Sequence, residues 1–465
     1  MSKTFRPYEL NQRLLLPPDL REWLPEDHLA LFVSDVVEAL DLSAIFRVYE
    51  QGDGRGQPPY DPVLMVKLLV YAYCTGQPSS RKIERATHED VAYRVLAANQ
   101  HPDHASIAEF RKRHLEALAG LFLQVLRLCQ AAGVVKLGHV ALDGTKIKAH
   151  ASKHKAMSYG RMEGAEQQLE EEVKQLLADA QAADAAEDAR HGKGKGSAEL
   201  PAELARRESR LRKIREAKAA LEQEAQEQAA AAAAAARAKI AERQRQEVET
   251  GKKAPGRAPT IPDPAQAKPH PKAQRNFTDP DSRIMKDGAS KSFEQAYNAQ
   301  AAVDGQGQII VAAAVTQEAN DKQQLVPLLL AVQQNVGQQP EKASADAGFF
   351  SEANLTDKQL EGIDLYVPPD RQCHSLPGEA LRESAASGGT VSEQMRHKLK
   401  TPEGRAVYKL RKAIVEPVFG QIKEVRGFRR FSVRGLLQVT AEWTVICLTH
   451  NLLKLFRAGA CPLVT

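Results

Sequence analysis

A long helical segment in the middle of the chain limits the possible folds more than any other feature. From Pro201 to about Glu249 the sequence is dominated by Ala, Glu, Arg and Lys. Apolar residues recur on it at heptad-like spacing: Leu204, Leu211, Ile214 and Leu221. A helix of about 49 residues is about 73 Å long, which exceeds the width of a small domain. We therefore predict that residues 161–249 form an antiparallel helical hairpin, resembling a coiled coil, with a turn at "HGKGKGS" (191–197).

The composition predicts a soluble, intracellular protein. The 465 residues allow two or three domains, and the apolar content of 43% is ordinary. The five Cys show no CxxC spacing, so we expect reduced thiols. The first residues lack the apolar core of a signal peptide, and polar residues interrupt the apolar stretch 436–456. We therefore expect a cytoplasmic protein with a buried helix at 436–456 and no membrane segment.

The first 135 residues have the pattern of several helices. Asp61 and Pro62 mark the start of one helix and Gly76 its end, and a long helix follows around residues 104–129. The basic cluster "EFRKRH" includes Arg111 and Arg113. Short helices followed by a basic helix favour a helix-turn-helix that binds DNA. A helical bundle with a solvated basic face remains the alternative.

Outside the hairpin, strands and helices alternate. Residues 139–149 form a predicted strand, 251–275 a Pro-rich basic linker, and 294–317 a β-hairpin. A helix capped by Asn320, strands at 342–350 and 363–369, and a helix that begins near Pro402 and is distorted at Pro417 complete the pattern. This order predicts an α/β domain with a mixed sheet.

Three acidic residues stand where simple packing does not explain them. Asp143 and Asp346 follow apolar strand residues in "ALDGT" and "SADAG", and Glu416 lies among apolar residues of the late helix. A buried carboxylate needs a partner. Convergence of the three around Mg²⁺ or Mn²⁺ would supply one, and two such ions could activate water and stabilise the leaving oxygen of a phosphodiester.

Each acid also has a local explanation. Asp143 could cap the turn at Gly144, Asp346 could cap the turn before Gly348, and Glu416 could pair with Lys412 or Lys423. The "DGT" sequence is similar to that of aspartyl-phosphate phosphatases, but their second Asp is Thr145 here. The sequence contains no P-loop, GxSxG or HExxH motif.

Positive charge surrounds the third acid. From Pro402 to Arg457 there are eleven Lys or Arg against four acidic residues. The segment "KEVRGFRRFSVRG" alternates basic residues with Phe428 and Phe431, and Lys146 and Lys148 follow Asp143. Carboxylates within a basic surface suit phosphodiester chemistry on DNA, because the basic residues neutralise backbone phosphates.

Five segments in order resemble the DDE transposases of bacterial insertion sequences: "HVALDGTKIKAHAS", "QAYNAQAAVD", "VTQEANDKQQL", "ADAGFFSEANL" and "YKLRKAIVEPVFGQIKEVRGFRRF". The chain is most similar to the subgroup with a Tyr-Arg-Glu-Lys signature and a helical N-terminal domain. The resemblance covers nearly the whole chain apart from residues 150–275.

The resemblance implies a ribonuclease H-like mixed sheet with flanking helices, a helical N-terminal domain and a helical insertion after the first strand. It implies domains at 1–135 (DNA binding), 136–150 (first part of the catalytic domain), 151–250 (hairpin), 251–280 (linker) and 281–465 (remaining catalytic domain and C-terminal helices).

The resemblance also implies the site and the reaction. Asp143, Asp346 and Glu416 would bind two Mg²⁺ or Mn²⁺ ions. From the resemblance and the basic clusters we expect these residues to contact DNA: Tyr408, Arg411, Lys412, Lys423, Arg426, Arg429, Arg430, Lys146, Arg111 and Arg113. Arg411 lies one residue further from Glu416 than the signature requires, so Lys412 is the alternative.

The implied activity is cleavage at the ends of the element, followed by transfer of the freed 3′-OH into target DNA. The expected partners are double-stranded DNA, both terminal inverted repeats and target, and a second copy of the chain. Two other functions remain open: a domesticated DNA-binding protein without activity, and a ribonuclease H-like nuclease that cleaves without joining.

Overall fold

The computed structural model describes residues 19–50, 58–191, 202–251, 256–287, 291–370 and 389–459. The chain divides into two compact units. The first contains residues 1–147, 298–433 and 437–465, and the second contains residues 148–297 and 434–436. Helices at the N-terminus therefore share a unit with most of the sheet.

The N-terminal region is helical, as predicted. Its helices are α1 (Leu29–Ala39), α2 (Ser43–Glu50), α3 (Pro62–Cys74), α4 (Ser80–Glu89), α5 (Val91–Leu96) and α6 (His104–Ala131). Asp61 caps α3, because its side chain accepts a hydrogen bond from the Val63 amide, and Pro62 occupies the first helical position. The predicted boundaries of α3 and α6 are confirmed.

A mixed sheet carries the acidic residues. Its strands are β1 (His139–Lys148), β4 (Arg283–Lys286), β5 (Phe293–Asp304), β6 (Ile310–Thr316), β7 (Lys342–Ser344) and β8 (Asp364–Tyr366). The strand order is β4-β5-β1-β7-β8, and β6 also pairs with β5. β1 is parallel to β7 and β7 is parallel to β8, whereas β5 and β6 form the predicted antiparallel hairpin. Helix α9 (Leu325–Val336) precedes β7, and the short α10 (Glu352–Leu355) follows it.

The C-terminal helices are α11 (Val391–Lys400), α12 (Pro402–Gly420) and α13 (Leu436–Ala458). α12 continues through Pro417, and residues 421–425 then form a π-helical turn. α13 lies against the sheet: Trp443 donates to the Gln300 carbonyl (2.9 Å), and the Asn451 amide bonds both backbone groups of Ile310. Polar residues that interrupt its apolar sequence thus satisfy the buried backbone. Among the described helices, none has the length and apolar character needed to cross a membrane.

Buried polar contacts attach the N-terminal helices to this unit. Glu442 of α13 is 1% exposed and accepts hydrogen bonds from the Tyr73 hydroxyl (2.9 Å) and the Ser432 amide (2.8 Å). Arg426, also buried, donates to the Ile446 carbonyl and the Thr449 hydroxyl. Because such groups are costly without partners, these contacts hold α3 firmly against α13. Cys74, Cys129 and Cys447 are free thiols, as predicted, while Cys373 and Cys461 lie outside the described residues.

The second unit contains the helical pair predicted from the sequence. α7 (Tyr159–His191) and α8 (Ala202–Thr250, 49 residues) pack through a cluster that includes Met162, Leu169, Leu211 and Ile214. Glu166 of α7 pairs with Arg215 and Lys218 of α8, and Glu172 pairs with Arg207 nearer the other end, so the helices are antiparallel. Leu211, Ile214 and Leu221 are buried as predicted. The side chain of Leu204 and the predicted turn at 192–197 lie outside the described residues.

The Pro-rich basic segment, predicted to be a loop or linker, is largely without helix or strand where it is described, and part of it packs against α8. From Gly256 it returns along α8: Arg243 donates to the Gly256 carbonyl (2.7 Å), and Arg275 and Arg283 both pair with Glu224. Residues Gln274–Asn276 (β3) pair with Ala156–Ser158 (β2). Of the basic side chains in this segment, Arg275 pairs with a helix carboxylate, that of Glu224.

Candidate active site

Two of the predicted acids lie side by side on neighbouring strands. β1 and β7 are parallel, with Ala141 opposite Ser344, and Asp143 and Asp346 each come two residues later. Adjacent strands are about 4.8 Å apart, so this register places the two carboxylates at the same level of the sheet. β1 continues past Asp143 to Lys148, close to the predicted strand 139–149, so Asp143 lies within the strand.

Asp143 is largely buried, and its negative charge is partly compensated by neighbouring groups. Its Oδ1 accepts a hydrogen bond from the Gly144 amide (2.8 Å), and its Oδ2 lies 3.3 Å from Nη1 of Arg411. Burial raises the pKa of Asp143 to about 6; Arg411 opposes this shift, whereas Asp346 and Asp321 add to it. Burial, rather than repulsion from the neighbouring acids, is the largest cause of this shift in the pKa of Asp143.

Asp346 also has a local role. Its Oδ1 accepts a hydrogen bond from the Gly348 amide (2.9 Å) and so caps the 3-10 turn Ala347–Phe349. Both strand acids therefore make the turn contacts considered as their local explanation. Those contacts use one oxygen of each carboxylate, and they fix the orientation of the group.

Glu416 is exposed, which corrects the expectation that it is a buried carboxylate. Its apolar neighbours Ile414, Val415, Val418 and Phe419 are buried, and Glu416 projects from a different side of α12. Sequence proximity to apolar residues was misleading, because a helix turns by about 100° per residue. Within the described part of the chain, its carboxylate has no hydrogen bond or ion pair, so the expected pairs with Lys412 and Lys423 are absent.

Three basic groups approach the acids. Arg411 is 7% exposed, and its Nε has no partner among the described residues. Lys423, in the π-helical turn, donates to the Thr145 hydroxyl (3.0 Å). Lys146 is half-buried, and burial lowers its pKa although Asp321, Asp346 and Asp143 all act to raise it. Single π-helical turns are rare in proteins, and many of those that do occur lie at functional sites.

Tyr408 completes this side of the site. The Arg411 guanidinium lies 5.8 Å from the centre of its ring. Burial raises the pKa of Tyr408, Arg411 lowers it, and Asp346 and Asp143 raise it further. Lys412, the alternative to Arg411, is exposed. Of Arg411 and Lys412, Arg411 is therefore the positively charged residue that the fold brings to Asp143.

The sequence analysis missed a third acid in this cluster, Asp321. We had expected Asn320 to cap a helix, but α9 begins only at Leu325, and residues 321–324 form turns. Asp321 thus lies before α9, where its Oδ1 accepts hydrogen bonds from the side-chain amides of Asn298 (2.7 Å) and Gln300. The motif "VTQEANDKQQL" contained the signal, but the assumed helix cap drew attention to the wrong residue.

Only part of the basic segment after the π-helical turn is exposed. Arg429 and Arg430 are exposed, although Arg429 pairs with Glu424. Arg426 is buried, so the prediction that it contacts DNA is wrong: it binds the helices behind the site. Phe428 and Phe431 are 3% and 1% exposed and belong to the core rather than to a stacking surface.

The two Arg residues predicted to contact DNA in the N-terminal basic cluster also differ in exposure. Arg113 is exposed and pairs with Glu109 on the same helix (3.3 Å). Arg111 is half-buried, donates to the Pro78 carbonyl, and lines an apolar cavity with Leu69 and Tyr73. Of the two, only Arg113 presents its charge to solvent.

Comparison with known protein families identifies the family to which the chain belongs. A family described as a transposase domain (DUF772) matches residues 18–113, and one described as a transposase DDE domain matches residues 265–452. Together they cover more than half of the chain, including Asp346 and Glu416 but not Asp143. The chain belongs to the DDE transposases of insertion sequences, and its ribonuclease H-like sheet and DNA partner follow from that membership. No significant match was found among curated proteins or among solved structures.

DDE transposases generally use divalent metal ions. The donors fit by their chemistry, because carboxylate oxygens on adjacent strands suit hard cations. Among the described residues, however, no group of three His, Cys, Asp or Glu side chains is arranged to hold a metal. Arg411 instead supplies positive charge beside Asp143.

The raised pKa of Asp143 predicts pH-dependent metal binding. The carboxyl is neutral below about pH 6, and its charge, which is unfavourable in the metal-free fold, forms as the pH rises through that value. Mn²⁺ should therefore raise the melting temperature at pH 7.5 and have little effect at pH 5. In Asp143→Asn the difference between the two pH values should shrink. Equal Mn²⁺ stabilisation of the wild-type protein at both pH values would contradict this prediction.

Proposed function

We propose that this transposase cleaves DNA at the ends of its insertion sequence and joins the freed 3′-OH to target DNA. The observation that carries the proposal is the parallel pairing of β1 with β7, in which Asp143 and Asp346 each come two residues after the paired Ala141 and Ser344. Two carboxylates so placed repel each other unless a cation lies between them. A protein that only bound DNA would gain nothing from this arrangement.

In this proposal Asp143, Asp346 and Glu416 bind Mg²⁺ or Mn²⁺, as two ions. The ions would supply Lewis-acid stabilisation of charge at the scissile phosphodiester. Glu416 and Lys423 are seven residues apart, which is about two helical turns. Since Lys423 reaches Thr145, two residues from Asp143, an exposed carboxylate on this part of α12 is a reasonable third ligand.

The basic residues would position the DNA. Arg411 holds Asp143 in the metal-free protein, and we propose that it turns to a phosphate when a cation takes over that carboxylate. Tyr408, Lys423 and Lys146 lie beside it and would fix the backbone near the scissile bond. The protein's contribution is thus to orient the two reacting groups and to neutralise charge. Lys412, Arg429 and Arg430 would contact phosphates further out.

The N-terminal region, residues 1–135, would bind the terminal inverted repeats. Arg113→Ala should weaken end binding and reduce the slope of log K against log salt by about one, because one phosphate contact is lost. Arg111→Ala should instead lower the melting temperature, since this side chain is used in packing. The measurement is a gel-shift titration across salt concentrations. An unchanged slope for Arg113→Ala would refute the assignment.

Two ends must be joined to one target, which favours a homodimer on DNA, acting in the cytoplasm at the nucleoid. We propose the catalytic domain as residues 136–150 together with 281–465. The inserted hairpin, 151–250, would contact DNA or the second copy. Its length of 49 residues in α8 gives it the reach for either role.

The test is incubation of the purified protein with Mg²⁺ and a supercoiled plasmid that carries both element ends. The proposal expects nicks at the ends that leave a 3′-OH, and joined products with a second DNA. Tight end binding without nicks would favour a domesticated DNA-binding protein. Nicks without joined products would favour a nuclease of the same fold.

A further inference from the structure

Asp321 is held in the site by two fully buried side chains. Asn298 and Gln300 on β5 are both 0% exposed, and both direct their amide N–H groups at the same oxygen of Asp321. Hydrogen bonds to a carboxylate are stronger than those between neutral groups. The position of this carboxylate is therefore fixed from the sheet.

The two amide side chains that bind Asp321 each have an oxygen without a hydrogen-bond partner among the described residues. Oδ1 of Asn298 and Oε1 of Gln300 are buried and have no hydrogen-bond partner among the described residues. An unsatisfied buried acceptor costs about 1–3 kcal/mol. Two unsatisfied acceptors beside one carboxylate lower the stability of the fold. Buried polar atoms without partners are exceptions in proteins, and they are expected where function requires them.

The carboxylate stands between Gly144, which follows Asp143 on β1, and Gly348, in the turn that follows Asp346. A Cβ on Gly144 would lie 2.8 Å from Oδ1 of Asp321, and a Cβ on Gly348 would lie 3.2 Å from its Oδ2. The same point at Gly348 is 2.9 Å from Oδ1 of Asp346. Neither glycine has a left-handed backbone, so lack of space, rather than conformation, requires glycine at both positions.

We propose that Asp321 is a positioning residue of the catalytic site, which sets the spacing of the Asp143 and Asp346 turns and adds a third negative charge for a divalent cation. The proposal rests on the proposed function, since it concerns the same metal site. The two oxygens of Asp321 occupy the space beside Gly144 and Gly348, whereas its own anchors, Asn298 and Gln300, lie on β5. Removing its charge should therefore weaken metal binding without disturbing DNA binding.

The experiment measures Mn²⁺ affinity by electron paramagnetic resonance on the full chain, together with the Mn²⁺ dependence of end cleavage. Asp321→Asn keeps the size of the side chain and removes its charge. Its Mn²⁺ affinity should fall roughly 10- to 100-fold, the range for residues that support metal ligands. Excess Mn²⁺ should restore cleavage, which it would not do for a purely structural defect. End binding should remain within about twofold of wild type, because Asp321 makes no phosphate contact in this proposal.

Glu318→Gln is the matched control, because Glu318 is an exposed acid in the same loop. It should behave as wild type. If Asp321→Asn fails to fold, Gly144→Ala carries the same prediction, since its Cβ would displace the Gln300 amide that holds Asp321 and would also lie 2.8 Å from the carboxylate itself. Wild-type Mn²⁺ affinity in both variants, with loss of binding in Asp346→Asn, would overturn this inference alone. Wild-type affinity in Asp346→Asn as well would overturn the proposed function with it.

Discussion

Replacing Asp346 or Asp143 with Asn should reduce cleavage at the element ends by roughly a thousandfold or more, as expected when a group that stabilises transition-state charge is lost. End binding should remain close to wild type, because it depends on Lys and Arg side chains elsewhere. Rates of nicking and gel-shift affinities, measured on the same preparations, test this directly. A variant that nicks at a rate near wild type would contradict the assignment of its acid.

The same substitutions should not destabilise the protein. The pKa of Asp143 is raised to about 6, so above that pH its charged form is unfavourable in the metal-free fold even with Arg411 beside it. Asn mimics the neutral form, and Asp143→Asn should hold or raise the melting temperature at pH 7.5 without metal. Loss of activity without loss of stability is the behaviour expected of a functional residue. A marked fall in the melting temperature would show that the Arg411 pair matters more than burial.

Arg426→Ala should lower the free energy of unfolding by about 2–4 kcal/mol, because truncating a large buried side chain leaves a cavity and unpaired carbonyls. Arg426 is 6% exposed and binds Thr449 and Ile446. Chemical denaturation of the variant and of wild type measures the difference.

Arg430→Ala is the matched control, four residues away and exposed. It should change stability by less than about 0.5 kcal/mol, as surface substitutions usually do, and should weaken DNA binding in a salt-dependent way. The opposite pattern, with Arg426 needed for DNA binding and Arg430 for stability, would contradict the orientation of this segment.

Local signals in the sequence predicted most elements correctly. Asp61 and Pro62 begin α3, and the heptad positions Leu211 and Ile214 lie in the helical pair, because capping and helical periodicity act between residues close in sequence. The strand β1 and the hairpin of β5 and β6 followed from the same kind of pattern. The strand that carries Asp143 pairs with the strand that precedes Asp346, in parallel, which is consistent with the expected convergence of these two acids.

Tertiary contacts decided what the sequence did not reveal. Nothing local distinguishes Arg426 from Arg430, and only the packing of α3 against α13 buries the first. Glu416 lies among apolar residues in sequence but on a different side of the helix in space. Asp321 gains its place from two amides on β5, more than twenty residues earlier in the chain. Arg275, at the end of the Pro-rich basic segment, pairs with Glu224 of α8, which is about fifty residues earlier in the chain.

The most direct test of the metal site is a crystal structure of the protein with Mn²⁺ and a terminal-repeat DNA, with Mn²⁺ located by anomalous scattering. The account predicts two peaks about 3.5–4 Å apart, bound by Asp143, Asp346 and Glu416, with Arg411 turned from Asp143 to a phosphate. Anomalous peaks away from Asp143 and Asp346, or an intact Arg411–Asp143 pair with DNA and Mn²⁺ bound elsewhere, would contradict it.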